Sequence, residues 1–204
     1  MKPLIPVLTL SSLTNIEELA NLLSSHGLSC IEITLRTPEA LSAIKQLSQH
    51  PDLEVWAGSV RTPEQAQQAL ESGASRLVSP GYTPGLLAEV IALNACWLPG
   101  VQTISEVMQL AEHGFVQQKF FPAQAAGGLP WLKAIQGPIP EVSFCPSGGI
   151  DMLDVGHFLH QSNVFALALS KLVPSDCLSE DKLAALDKKL GMRLHHLREI
   201  EHEL

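Results

Sequence analysis

The chain lacks the features that would tie it to nucleic acid, a membrane or a disulfide framework. Among 204 residues only 13 are lysine or arginine, against 21 aspartate or glutamate, and the formal net charge is -8. A nucleic-acid binder carries a basic field, which is missing here. The four cysteines, Cys30, Cys96, Cys145 and Cys177, stand far apart and form no CxxC pair, which argues against a zinc ribbon or a disulfide scaffold. Three of them sit in or beside apolar runs, where a reduced core thiol is the plain reading. No window approaches about 18 uninterrupted apolar residues, so no membrane span is expected. The run after Met1-Lys2-Pro3 is too short for a signal peptide and has no cleavage site after it. Charged residues make up only 17% and hydrophobic residues 46%, ample for a core and unlike a disordered chain. The expectation is a soluble, cytoplasmic protein of one globular domain, 1–204, with no nucleic-acid or membrane partner.

What the chain does have is a rhythm of short apolar runs alternating with amphipathic stretches. The runs are 4–10, 30–35, 53–57, 76–79, 95–98, 116–121, 142–145 and 164–169. Helical patterns fill 14–26, 38–49, 63–72, 84–93, 105–113, 129–136 and 151–160, and a polar helix is expected from about 179 to 204. Pro38, Pro63 and Pro84 stand at first-turn positions, where the missing N–H costs nothing. His26-Gly27, Ser72-Gly73 and His113-Gly114 suit helix C-termini. Strand candidates each followed by a helix predict an α/β fold with a parallel sheet, and eight βα units close most naturally into a (β/α)8 TIM barrel. A doubly wound open sheet is the alternative.

In a parallel barrel the reactive groups lie at the C-terminal ends of the strands. The run Cys30-Ile31-Glu32-Ile33-Thr34-Leu35-Arg36 alternates, so Ile31, Ile33 and Leu35 face the helices while Glu32, Thr34 and Arg36 face inward. Charges on an interior face are costly unless paired or used, and a Glu32–Arg36 ion pair is the structural alternative to a functional role. Lys119, in Gln117-Gln118-Lys119-Phe120-Phe121-Pro122, is the lysine least like a surface residue. Loss of hydration favours a neutral amine, the form that condenses with a ketone to a Schiff base. An amine and a carboxylate in one mouth suit reversible carbon–carbon chemistry beside a carbonyl. Pro146-Ser147-Gly148-Gly149-Ile150-Asp151 follows the seventh run, where barrels commonly bind phosphate, and Asp151 is placed to cap the helix after it.

Together, IEITLRT (31–37), AGSV (57–60), SPGYT (79–83), LPGVQTISE (98–106), KFFPA (119–123), FCPSGGI (144–150) and SKLVP (170–174) resemble the 2-keto-3-deoxy-6-phosphogluconate / 4-hydroxy-2-oxoglutarate aldolases. The resemblance covers about residues 4–175, in order. It implies a class I lyase without metal or other cofactor, acting on a small 2-keto-3-deoxy sugar acid or hydroxy-oxo acid. Lys119 would stand at the Schiff-base position and Glu32 at that of the general acid/base. Arg36 and Ser59 match the positions that hold the pyruvate carboxylate, and Phe121 the aromatic that packs on the ketoacid. Pro80 and Pro99 would line the mouth, and Ser147, Gly148, Gly149 and Ser170 match the phosphate positions. A homotrimer is implied as well.

The chain also departs from that pattern. Ala168-Leu169-Ser170 stands where the family has Gly-Gly-Ser, so side chains are expected to crowd the phosphate cradle and weaken the preference for phosphorylated substrates, with Lys171 as a possible compensating cation. Ser59 and Ser147 replace the more usual threonines, and Gln124 stands where relatives often carry a carboxylate. A phosphosugar isomerase using Glu32 as base is the alternative reaction, and a catalytically idle barrel a third reading. A metal-dependent aldolase is disfavoured, because the histidines fall mostly at helix ends (His157 and His160 on the seventh) or on the tail helix (His195, His196, His202).

Overall fold

The computed structural model describes residues 2–203, apart from the side chains at 180, 196 and 198–203. The side chains of His196 and His202 therefore lie outside the described residues. The first half runs β1 (Leu4–Leu8), α1 (Ile16–Ser25), β2 (Cys30–Thr34), α2 (Ala40–Leu47), β3 (Glu54–Gly58), α3 (Pro63–Glu71), β4 (Arg76–Val78) and α4 (Pro84–Ala92). The second half runs β5 (Trp97–Leu98), β6 (Gly100–Val101), α5 (Ile104–Glu112), β7 (Gln117–Phe120), α6 (Gly128–Gln136), β8 (Ser143–Pro146), α7 (Val155–Leu159), β9 (Leu167–Leu169) and α8 (Glu180–Glu203). No helix among the described residues is long and apolar enough to cross a membrane.

This is an α/β fold in which every strand pairing is parallel. One sheet has the order β5-β4-β3-β2-β1-β9 and the other β6-β7-β8. The predicted fifth strand, 95–98, is strand only over Trp97–Leu98, and a further two-residue strand, β6, follows Pro99, which has no N–H to offer a ladder. The predicted run 164–169 is strand only over its last three residues, with Val164 paired singly to Phe144.

Sequence signals set the helix ends well. Pro63 and Pro84 open α3 and α4 behind the caps Thr62 and Thr83, whose hydroxyls accept the Gln65 and Leu86 N–H. Thr103 and Glu106 form a complete capping box on α5. Pro38 is a correction. It sits in a turn closed by the Ala40 N–H on the Thr37 carbonyl, and α2 begins only at Ala40. The expected helix 151–160 is also shorter. Asp151 accepts the Leu153 N–H in a local turn and does not cap α7, which begins at Val155. The side chain satisfied the nearest free donor, as aspartate does in turns.

The core has two parts. Ile31 and Ile33, with Leu35 packed alongside, belong to the large cluster that includes residues of the helices. A second cluster holds Ile5, Val7, Cys30, Trp56, Val78, Leu98, Cys145, Ala166 and Ala168, and no helix contributes to it. The alternation read from the sequence thus separates two apolar layers. The Glu32–Arg36 pairing does not form: Arg36 lies past the end of β2 and is exposed.

Close packing of the strand ends depends on Gly100. A Cβ there would overlap the Pro80 carbonyl group and come within 2.6 Å of the Ser79 oxygen. Those are backbone atoms in adjoining strand ends, so they cannot yield cheaply. Gly85, in α4, meets nothing closer than 4.0 Å. Gly100→Ala should therefore cost about 3 kcal/mol, at the upper end for overpacking. Gly85→Ala should be neutral or gain up to about 1 kcal/mol. Urea unfolding of the two variants checks the contrast.

Candidate active site

Two buried charges meet in the interior, one from the middle of β2 and one from β7. Glu32 projects from β2 and is 1% exposed; Lys119 projects from β7 and is 5% exposed. The Lys119 Nζ donates to both carboxylate oxygens, at 3.1 and 3.2 Å. The Lys119 backbone is fixed by its N–H on the Pro99 carbonyl, 2.8 Å, so the break between β5 and β6 directly anchors the lysine. The Phe121 ring lies 5.5 Å from Nζ, within range of a cation–π contact.

Below the pair the inner cluster is apolar, with two exceptions in sulfur. Burial raises the Cys145 thiol to about 12, with Lys119 lowering it and Glu32 raising it. Burial likewise pushes Cys30 up. Both remain neutral thiols at physiological pH and act as core side chains. Cys177 is buried too, whereas Cys96 is exposed. Thr34, inward of β2, donates to the Leu8 carbonyl and shares a 2.8 Å contact with the Thr9 hydroxyl.

The remaining candidates fall into two further groups. Arg36 and Ser59 adjoin, the Arg36 Nε donating to the Ser59 Oγ at 2.9 Å. Ser59 holds a left-handed backbone (φ 59°), unusual for a residue with a side chain and seen where surroundings enforce it. Pro80 is exposed after β4 and Pro99 is buried. Ser147, 5% exposed, donates its N–H to the Phe120 carbonyl and accepts from the Ala123 N–H at 2.7 Å. Gly148 and Gly149 both have positive φ, and a Cβ at Gly148 would press on the Phe121 ring at 3.0 Å. Ser170 is exposed just past β9.

The eighth strand corrects the expected crowding. Leu169 packs into the outer core with the helices, turned away from the strands' inner face, and only the Ala168 methyl lies inward. Period two decides this, since neighbours on a strand take opposite faces. Lys171 forms an ion pair with Asp151 at 3.3 Å, both about half exposed. Two glycines drew no attention in the sequence, Gly58 and Gly100. Both follow the apolar runs 53–57 and 95–98, and only the structure places them within strands, where a glycine marks close approach of another group. Among the described residues, no three His, Cys, Asp or Glu side chains cluster as a metal site.

The parallel α/β fold thus brings a buried lysine amine against a buried carboxylate, a pair whose chemistry suits Schiff-base formation with a carbonyl compound. The model of the KDPG and KHG aldolase family matches residues 1–189, and the chain belongs to that family. As a member it is an aldehyde-lyase, a class I pyruvate aldolase. It is 36% identical over 191 residues to the 2-dehydro-3-deoxy-phosphogluconate aldolase of Dickeya dadantii, spanning 92% of this chain and 90% of the relative. To the KHG/KDPG aldolase of Escherichia coli K12 it is 37% identical over 177 residues, 86% of this chain and 83% of that one. Its fold overlays the KDPG aldolase of Legionella pneumophila with a TM-score of 0.88 at 38% identity, covering 95% and 94% of the two chains. That crystal structure holds pyruvate captured at low pH as a covalent carbinolamine intermediate.

The pairing of Lys119 with Glu32 predicts an asymmetric response to mutation. Lys119→Met strands a carboxylate in a site 1% exposed and should cost about 3–5 kcal/mol. Adding Glu32→Gln removes the stranded charge and should return most of that loss, read from urea unfolding of both proteins.

Proposed function

We infer that Lys119 is the Schiff-base nucleophile and Glu32 the general acid/base of a reversible aldol cleavage that releases pyruvate. The reading rests on one observation above all, the 3.1 Å contact between two charged side chains that are otherwise shielded from water. The substrate class is a 2-keto-3-deoxy sugar acid, with 2-keto-3-deoxy-6-phosphogluconate giving glyceraldehyde 3-phosphate, or 4-hydroxy-2-oxoglutarate giving glyoxylate. The Lys119 amine adds to the C2 carbonyl to give a carbinolamine, and loss of water gives the imine. The imine then accepts the electron pair of the C3–C4 bond as the C4 hydroxyl loses its proton and the aldehyde leaves. Protonation of the resulting enamine at C3 and hydrolysis return the amine and free pyruvate. Glu32, beside Nζ, is placed to move these protons, through a water where the distance requires it.

Arg36 and Ser59 would hold the pyruvate carboxylate, Phe121 would pack on its carbon chain, and Pro80 and Pro99 would line the mouth. Ser147, Gly148, Gly149 and Ser170 would face the distal end of the substrate. The two sheets are read as one closed (β/α)8 barrel in a single domain, with α8 appended. Supporting this, only Pro99 separates β5 from β6, the pairs Phe144–Val164 and Ser147–Ala168 link β8 to the β9 side, and the inner cluster contains no helix residue. A doubly wound sheet would carry helices on both faces. A cytoplasmic homotrimer follows from the family resemblance; exposed Ile91, Ile104, Met108 and Val116 supply apolar surface that such an assembly could cover.

Borohydride reduction in the presence of pyruvate tests the assignment. One three-carbon adduct should map to the peptide containing Lys119 and be lost in Lys119→Ala. Glu32→Gln should still trap pyruvate while kcat falls about 10²–10⁴-fold. An adduct on Lys133 or Lys171, or none, would sink the assignment, and an isomerase would form no imine at all.

Substrate preference should follow the end of β9. Ala168 is paired with Ser147 in a parallel bridge, and Lys171 is occupied by Asp151, so the lysine is not poised for a phosphate. Each charge-assisted hydrogen bond forgone is worth about 1.5–3 kcal/mol. The expected outcome is a modest kcat/KM ratio for the phosphorylated over the unphosphorylated six-carbon ketoacid, and comparatively good turnover of 4-hydroxy-2-oxoglutarate. Lys171→Ala should leave that ratio nearly unchanged, and a sharp fall would show that the lysine turns from Asp151 to the phosphate.

A further inference from the structure

The inner face of β3 offers two positions, Trp56 and Gly58, one filled by a large ring and the next empty. In the β2–β3 register Glu32 stands opposite Trp56, and Thr34 opposite Gly58. Trp56 is buried in the inner cluster towards the amino-terminal side, so the open space beside Glu32 lies over Gly58. The carboxylate uses that space. A Cβ placed on Gly58 would overlap the Glu32 Oε1 and lie 2.6 Å from its Cγ and 2.8 Å from its Cδ. Those are the three nearest atoms, and all belong to Glu32.

The backbone at this position does not itself call for glycine. Gly58 is the last residue of a regular strand, and its φ is not among the positive ones. Its backbone cannot retreat, because its carbonyl accepts the Leu35 N–H at 2.8 Å and the strand pairs with β2 along five residues. A flexible carboxylate could ordinarily swing aside. Here it is 1% exposed and tied to Lys119 through both oxygens, so displacement breaks the ion pair.

We propose that Gly58 is a positioning residue for Glu32: the missing side chain at the end of β3 is what allows the carboxylate to lie against the Lys119 amine. Its consequence for turnover rests on the aldolase reading above. The steric coupling between the two positions does not.

Four proteins test it: wild type, Gly58→Ala, Glu32→Ala and the double variant. In the presence of Glu32 the alanine methyl must turn the carboxylate away, so Gly58→Ala should lower Tm. In the Glu32→Ala background the three atoms nearest that methyl are removed, and the same substitution should cost clearly less Tm. Should Gly58→Ala fail to fold, recovery of a folded protein in the double variant carries the same meaning. Folded Gly58→Ala should lose about 10²–10⁴-fold in kcat, like a lost general acid/base, with little change in KM. Borohydride should still fix pyruvate on its Lys119, and the double variant should turn over no more slowly than Glu32→Ala. An equal Tm loss in both backgrounds, or wild-type kcat in Gly58→Ala, overturns the proposal. Failure of wild type itself to trap pyruvate overturns the aldolase reading instead, and the Tm comparison then decides the role of Gly58 alone.

Discussion

The contact between Lys119 and Glu32 constrains the rest of the molecule. Two ions taken out of water are tolerable only when each compensates the other in good geometry. The amine reaches both oxygens of the carboxylate, and among the described residues no other side chain is hydrogen-bonded to either group. That exclusivity follows from the apolar floor of Val78, Leu98, Cys145 and Ala168, which offers neither charge a second partner. The fold therefore supplies a place where the two charges depend on each other.

The backbone around the pair is arranged to the same end. Pro99 interrupts a strand that would otherwise run through it, yet its carbonyl still receives the Lys119 N–H. Gly100 follows at once and admits the Ser79–Pro80 backbone to a distance that any side chain would forbid. The resulting close approach of β4, β6 and β7 brings Lys119 inward from a three-stranded sheet towards a glutamate carried by the six-stranded one. The ion pair thus spans the two sheets and links them by side chains.

Much of this was legible in the chain, and the rest was not for identifiable reasons. Alternation placed Glu32 and Thr34 inward and Ile31 and Ile33 outward, because period two is a local property of the backbone. The prolines that open α3 and α4 were local signals too. Lys119 stood out because aromatics flank it on the carboxyl side. Partnership was the harder matter: Glu32 could pair with Arg36 four residues away or with a lysine 87 residues away. Local spacing favoured the first. Topology selected the second, since Arg36 leaves the strand and meets Ser59 on the next loop. Leu169 was misjudged for a similar reason. Its size suggested obstruction, but its parity on the strand sends it to the helices. Glycines that make room are nearly silent in a sequence, because what they accommodate comes from another strand.

Gln124 shows how a departure from the family pattern can leave the architecture intact. Relatives often carry a carboxylate there, which would suggest a changed site. In the structure the residue's backbone N–H bonds the Gly148 carbonyl, and its Cβ marks the limit of space above Gly149. Both contacts are available to almost any residue except proline or glycine. The side-chain amide reaches only as far as 3.5 Å from a Cβ that Gly128 does not have. The segment from Phe120 to Gln124 is therefore bound to the Ser147–Gly149 loop by three backbone hydrogen bonds. Those bonds hold Phe121 over the amine and the two glycines against its ring. Lys119 and the Ser147–Gly149 loop are thereby parts of one rigid unit, whatever side chain stands at 124.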